Sequence, residues 1–199
     1  MKTWRSAVID DSRLTKAACS SAQPAILEFQ APWFSIYSRD GVYTYETLPQ
    51  VTILPVVERT SVVMIRARRP AVGDCPLELP AGSVMPGETP RQGAARELAE
   101  ETGIVVANHD RFKQTLPIAV MSGRCPFLDH VYEVELTPIE YESRAGHDGE
   151  VEEVVLMPLS DAVRAIQTGE IYCAVPMAIL QRKFLAMNIC NGPGPIHTS

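Results

Sequence analysis

Four acids crowd one short stretch of the chain, Glu88 and then Glu97, Glu100 and Glu101, with Arg96 among them. The residues around them predict a helix. Thr89 suits an N-cap, Pro90 sits at the first helical position where its missing N–H is not needed, and Gln92 completes a capping box. Gly103 supplies the C-terminal stop. At about 100° per residue, Ala94, Ala95, Leu98 and Ala99 fall on one apolar arc that must pack on a core. The opposite side carries the charge. Glu97 and Glu101 are four residues apart, and like charges at that spacing cost a helix roughly 0.2–0.5 kcal/mol. Arg96 precedes Glu100 by four residues and neutralises it, which leaves Glu97 and Glu101 facing one space with no partner in the helix. A divalent cation would complete such a site. Carboxylates without neighbouring Cys or His favour Mg2+, with Mn2+ next, over Zn2+.

The spacing is more specific than an acidic helix face. Gly82, Glu88, Arg96, Glu97, Leu98, Glu100, Glu101, Gly103 and Ile104 fill nine fixed positions over 23 residues, in the order Gly-x5-Glu-x7-Arg-Glu-aliphatic-x-Glu-Glu-x-Gly-aliphatic. This order resembles the Nudix box, the signature of the Nudix hydrolase superfamily. The resemblance implies a Mg2+-dependent hydrolase of nucleoside diphosphates linked to another moiety. It also implies a metal site made by Glu97, Glu101, Glu100 and the backbone carbonyl of Ala81, with Arg96 and Glu88 shaping the loop–helix unit rather than touching substrate.

Arg66, Arg68 and Arg69 precede the box. Arginine is well shaped for phosphate, so Arg69 and Arg66 are the candidate substrate contacts. The run Arg68-Arg69-Pro70-Ala71-Val72-Gly73 and the later Glu78-Leu79-Pro80-Ala81-Gly82 resemble the ADP-ribose pyrophosphatase branch of the superfamily, and the resemblance covers about residues 30–187. The loop at residues 121–126 departs from it, lacking the Ser-Pro-Gly usual there. The branch implies ADP-ribose or a related nucleoside diphosphate sugar as substrate, a nucleoside monophosphate and a sugar phosphate as products, and a homodimer. Two other readings stand beside it: a Nudix hydrolase of an oxidised nucleotide or a dinucleoside polyphosphate, and a nucleotide-sugar sensor that does not hydrolyse. The intact box argues against the sensor, because binding alone does not need both metal carboxylates.

The box acids are committed to metal or to Arg96, so the group that activates water must lie elsewhere, within about 3 Å of that water. The segment 138–153 is polar and acidic. The ADP-ribose branch is similar in using a Glu from a mobile loop at this point in the chain, and the resemblance puts Glu150 in that position with Glu153 second.

The resemblance implies the fold that positions these groups, an α/β fold with a mixed β-sheet sandwiched between helices as in Nudix domains, here with an N-terminal β-hairpin subdomain. Residues 1 to about 24 show no clear period and read as a loose arm. Segments 33–38 and 42–48 alternate around Arg39-Asp40-Gly41, a strong hairpin signal. Segments 51–57 and 61–68 form a second pair. Strands are expected at 104–107, 112–120, 128–136 and 154–157, with residues 138–153 as a long loop and His130 as a satisfied structural histidine. Ser160 would cap a helix ending at Gly169, and Pro176 would open another to about residue 188. The expected division is 1–50 for the arm and hairpin subdomain, 51–190 for the Nudix hydrolase domain and 191–199 for a disordered tail.

Bulk properties narrow the classes further. At 199 residues the chain suits one domain with an added N-terminal piece. Its 18 basic and 24 acidic side chains give a net charge of −6 with no basic cluster, which argues against nucleic acid or a membrane surface as partner. A small phosphorylated ligand remains compatible with a few local arginines and a metal. The cysteines at 19, 75, 125, 173 and 190 contain no Cys-x-x-Cys pair and read as free thiols in a reducing cytosol. No signal-peptide core and no run of transmembrane length is present, so a cytoplasmic protein is expected.

Overall fold

Gln50–Val57 is buried on both faces from Val51 onward, which makes it the centre of the larger sheet. The computed structural model describes residues 25–191, so the expectations for residues 1–24 and for the tail beyond 191 fall outside the described residues. Ten strands are described. β1 (Ile26–Gln30), β2 (Phe34–Arg39) and β3 (Val42–Thr47) form a separate antiparallel sheet. β4 (Gln50–Val57), β5 (Ser61–Ala67), β6 (Leu77–Glu78), β7 (Ala81–Ser83), β8 (Lys113–Gln114), β9 (His130–Leu136) and β10 (Val151–Pro158) form the larger one. The helices are α1 (Pro90–Thr102), α2 (Pro138–Glu142), α3 (Leu159–Thr168) and α4 (Ala174–Asn191).

The larger sheet runs β10-β5-β4-β9-β8, with β4 and β9 parallel and its other pairs antiparallel. Each face buries a core. Val51, Ile53, Val63, Tyr132 and Val134 pack with Ala94, Ala95 and Leu98 of α1, while Leu54, Val56, Val62, Met64 and Val131 pack with Leu159, Ala162 and Leu180 of α3 and α4. The chain is therefore a mixed sheet between helices. β4 splits its pairing: its far end holds β5 at Val56 and Val57, while its start holds β7 at positions 50–52. Pro55 sits between the two, where no β5 or β7 partner needs its missing N–H. That split carries Ala81 and Gly82 to the edge of the sheet beneath α1.

Several boundaries differ from expectation. The hairpin at Asp40 and Gly41 is present, with φ of 50° and 77°, but β1 adds a third strand to it. Segment 104–107 is not a strand. Ile104 and Val106 are buried and Val105 is exposed, so the alternation reflects extended chain lying on the core without a ladder partner. Of 112–120 only β8 pairs, and Pro117 precedes an isolated bridge from Ile118 to Asp129. Residues 138–153 are not one loop: Thr137 and Glu140 form a capping box that starts α2, and β10 begins at Val151. Ser160 is not the cap of α3, which starts at Leu159 with Pro158 before it. Pro176 lies inside the first turn of α4. Among the described residues no helix is long and apolar enough to cross a membrane.

Candidate active site

α1 forms as its local chemistry dictates. The Thr89 hydroxyl accepts from the Gln92 N–H, the Gln92 side chain returns the bond, and Gly103 closes the helix at φ 72°. Its buried face is wider than the apolar arc. Gly93, Glu101 and Thr102 are buried with Ala94, Ala95 and Leu98. Glu101, expected on the charged side, is only 5% exposed.

Arg96 organises the charges. Its guanidinium donates to Glu88 at 2.8 Å, to Glu97 at 2.9 Å, to Glu100 at 2.9 Å and to the Ser83 carbonyl at 2.7 Å. This corrects one expectation: Glu97 does have a partner, because arginine's fork reaches its sequence neighbour as well as the residue four on. Glu88 also accepts from the Met85 N–H, so it ties the loop to the helix. The Glu88 bond is the leading cause of the raised Arg96 pKa.

Glu101 is held differently. One of its oxygens accepts from the Ala81 N–H at 2.8 Å, and it makes no ion pair among the described residues. Burial lifts its carboxyl to about 8; the Ala81 bond opposes that rise and the Glu97 charge adds to it. Burial likewise raises Glu97, against the pull of Arg96. Ala81 lies opposite Thr52 between two bonded rungs, Ile53 N–H to the Pro80 carbonyl and Val84 N–H to the Pro49 carbonyl, so its own N–H and C=O both face away from β4. A Cβ placed on Gly82 would overlap the Glu97 carboxyl group, so glycine is required for this close approach.

This geometry fits a hard divalent cation. Two carboxylates and a backbone carbonyl converge, all oxygen donors, and the buried acid lacks a counter-charge of its own. Among the described residues no three His, Cys, Asp or Glu side chains are grouped so as to hold a metal by themselves.

A cleft of about 700 Å³ opens over these groups, lined by Arg69, Ala81, Glu97, Glu100, Glu101 and Glu150. Six of the eight residues singled out from the sequence thus come together. The other two do not. Arg66 projects on the opposite face of β5 from Ile65, towards Glu170 at 2.6 Å and Glu153 at 3.5 Å. Glu153 is not on a loop but inside β10, and that ion pair holds it outside the cleft. Glu150 ends the loop before β10. Its N–H donates to the Asp148 carboxylate at 3.0 Å, and its own carboxylate has no partner among the described residues.

That loop is tethered to the end of α1: Ala145 N–H donates to the Gly103 carbonyl and Asp148 N–H to the Glu100 carbonyl, each at 2.9 Å. The site also holds residues that sequence reasoning missed. Trp33, Leu48, Gln50, Met85 and Asp148 line the cleft. Trp33, 75% exposed in the turn between β1 and β2, offers a free aromatic face. Asp148 had a local signal, an Asp two residues before the candidate base and able to cap its N–H. His130 is not satisfied, since its buried Nδ1 has no partner among the described residues, and burial lowers its pKa. Another cavity, of about 660 Å³, is lined by Glu58, Arg111, Lys113 and Glu133 and contains no box residue.

A family model for the NUDIX domain matches residues 46–174. The chain belongs to the Nudix family. It is 28% identical over 124 residues to an ADP-ribose pyrophosphatase of Bacillus subtilis, covering 62% of this chain and 65% of that one. It is 32% identical over 121 residues to an ADP-sugar pyrophosphatase of Mus musculus, covering 56% and 53%. A methanol dehydrogenase activator of Bacillus methanolicus is 28% identical over 123 residues, covering 61% and 64%. The match therefore spans between half and two thirds of each relative's own length.

Proposed function

We propose that this Nudix chain hydrolyses the pyrophosphate bond of ADP-ribose or a related nucleoside diphosphate sugar, with Mg2+ or Mn2+ as cofactor. The observation that carries this is the convergence, in one cleft, of the Glu97, Glu101 and Ala81 oxygens with the Arg69 guanidinium and the unpartnered Glu150 carboxylate. Names of relatives that act on ADP-ribose and ADP-sugars support the substrate class.

Glu97, Glu101 and the Ala81 carbonyl would hold the cation, with Glu100 at the margin, half exposed and bound to Arg96. A divalent ion there would screen the phosphate charge and acidify water. Arg69 binds a phosphate oxygen, which suits its planar donor fork. The exposed face of Trp33 stacks the base, since an aromatic plane accepts any nucleobase. Glu150 accepts the proton of the attacking water. The water oxygen bonds to phosphorus, the P–O–P bridge breaks, and a nucleoside monophosphate and a sugar phosphate leave. An unpartnered loop carboxylate is expected of a hydrolase and is unnecessary in a sensor.

The same reading includes a homodimer. Ile26, Phe29 and Tyr43, each about half exposed or more, share one face of the β1–β3 sheet, an apolar surface that a second copy would cover. Cys75, Cys125 and Cys173 are free thiols, which supports a reducing, cytoplasmic setting. The test is a substrate panel at saturating Mg2+ comparing ADP-ribose, other ADP-sugars, dinucleoside polyphosphates and normal and oxidised nucleoside triphosphates. ADP-ribose or an ADP-sugar should give the highest kcat/KM. A triphosphate or dinucleoside polyphosphate well above them overturns the substrate assignment.

A further inference from the structure

Arg69 is the sole basic side chain among the described residues lining the cleft, against Glu97, Glu100, Glu101, Asp148 and Glu150. A flexible cation among acids should fold onto one of them, most readily Glu101 or Glu150, whose charges it already feels. It does not. Its Nε and Nη2 both donate to one oxygen of Glu78, at 3.0 and 2.7 Å, while Nη1 has no hydrogen-bond partner among the described residues. Glu78 belongs to β6 and is outside the cleft lining.

The other oxygen of Glu78 is occupied as well. It accepts from the Cys173 thiol at 3.2 Å. Burial and the Glu78 bond push that thiol up to about 12, so it remains a donor. Cys173 ends a segment stitched to β5 and to the β5–β6 connection: Glu170 pairs with Arg66 of β5 at 2.6 Å, and the Tyr172 hydroxyl donates to Asp74 of the connection at 2.8 Å. Ile171 between them is fully buried and pins the segment. One Glu78 oxygen is thus held from outside the cleft while the other takes the guanidinium, so the steadied carboxylate can hold Arg69 in one orientation.

We infer that Glu78 is a positioning residue: steadied by Cys173, it keeps Arg69 off the cleft acids and presents its remaining N–H groups to a substrate phosphate. This rests on the reading of the cleft as a nucleoside diphosphate site, and it assigns the segment between α3 and α4 a part in substrate binding. An arginine so held loses little side-chain freedom when phosphate arrives, and the acids stay open for a cation.

ADP is the probe, titrated calorimetrically in Mg2+ against the wild type, Arg69→Ala, Glu78→Gln, the double variant, Cys173→Ser and Cys173→Ala. Arg69→Ala and Glu78→Gln should each weaken ADP about 10- to 100-fold, the size of a charge-assisted hydrogen bond. The double variant should bind no more weakly than Arg69→Ala alone, because Glu78 acts only through Arg69. Cys173→Ser keeps a donor and should bind as the wild type does, while Cys173→Ala should weaken ADP. For hydrolysis, Glu78→Gln should raise KM with kcat little changed. A role confined to holding the fold predicts instead a lower unfolding midpoint with ADP affinity unchanged, and that result overturns the inference, as do additive losses in the double variant. If Glu78→Gln does not fold, Cys173→Ala against Cys173→Ser decides. A wild type that binds ADP in this pattern but hydrolyses no diphosphate refutes the hydrolase reading and leaves the positioning role standing; hydrolysis with additive losses does the reverse.

Discussion

Replacing Gly103 by alanine should damage both stability and turnover, because this residue serves two neighbours at once. Its φ of 72° closes α1, and a side chain in that region costs about 1–2 kcal/mol. A Cβ there would also overlap the backbone of Ala145, the residue whose N–H donates to the Gly103 carbonyl. Losing that bond adds about 1 kcal/mol. The sum is about 2–3 kcal/mol, or a fall of roughly 5–10 °C in midpoint for a chain of this size. Displacement of Ala145 moves the loop that ends in Glu150, and an error of about 1 Å in a catalytic group can cost ~10²-fold. Gly103→Asn separates the two effects. Asparagine tolerates the backbone angle but keeps the Cβ, so stability should partly recover while kcat stays low. Thermal unfolding in EDTA and steady-state kinetics with Mg2+ read the two arms. A Gly103→Asn variant with wild-type kcat would refute the coupling of helix end to loop.

Three further outcomes follow from the geometry. Glu150→Gln should lower kcat by about 10²-fold or more with KM little changed, the scale of a lost general base, whereas Glu153→Gln should keep near-normal kcat because Glu153 lies in β10 beside Arg66; equal losses in both would contradict the assignment. Asp129 is 6% exposed, and burial raises its carboxyl to about 6, with Thr52 opposing. A raised acid stabilises the fold below its unfolded pKa near 4 and loses that stability as pH rises to 6. Relative to Asp129→Asn, the wild type should therefore weaken by about 2–3 kcal/mol across that window, and a gap that does not change between pH 4 and 7 in urea unfolding rules it out. Glu101→Gln should raise the unfolding midpoint of the metal-free protein at pH 7, since the neutral amide escapes the burial penalty on Glu101, and should abolish stabilisation by added Mg2+; a lowered midpoint with Mg2+ stabilisation intact would count against it.

The box helix was legible because its determinants are local. The Thr89 and Gln92 cap, the Gly103 stop and the spacing of Glu97 from Glu101 all lie within a few turns of one another. Burial of Glu101 was not legible, since it depends on the Ala81 N–H, delivered by a strand that pairs with the start of β4. The same division explains the two arginines. Arg66 and Arg69 look alike in sequence, yet Arg66 follows the β5 alternation away from α1 while Arg69 lies beyond the end of that strand. Glu150 and Glu153 separate for a related reason: β10 starts at Val151, and the strand claims the later acid. Part of the shortfall was readable. Thr137, Pro138 and Glu140 carry the same capping signature as Thr89, Pro90 and Gln92, and α2 follows from it. Trp33 had no local signal, because its approach to the cleft depends on how the β1–β3 sheet meets the larger one.

Metal-dependent cleavage at Glu101 can be followed by phosphorus NMR, with ADP-ribose incubated with the wild-type chain and with Glu101→Gln, in Mg2+ and in EDTA. Wild type with Mg2+ should release AMP and ribose 5-phosphate in equal amounts, with loss of orders of magnitude in rate in EDTA or in Glu101→Gln. Full activity in EDTA, or an unimpaired Glu101→Gln, would contradict hydrolysis at a metal held by Glu101.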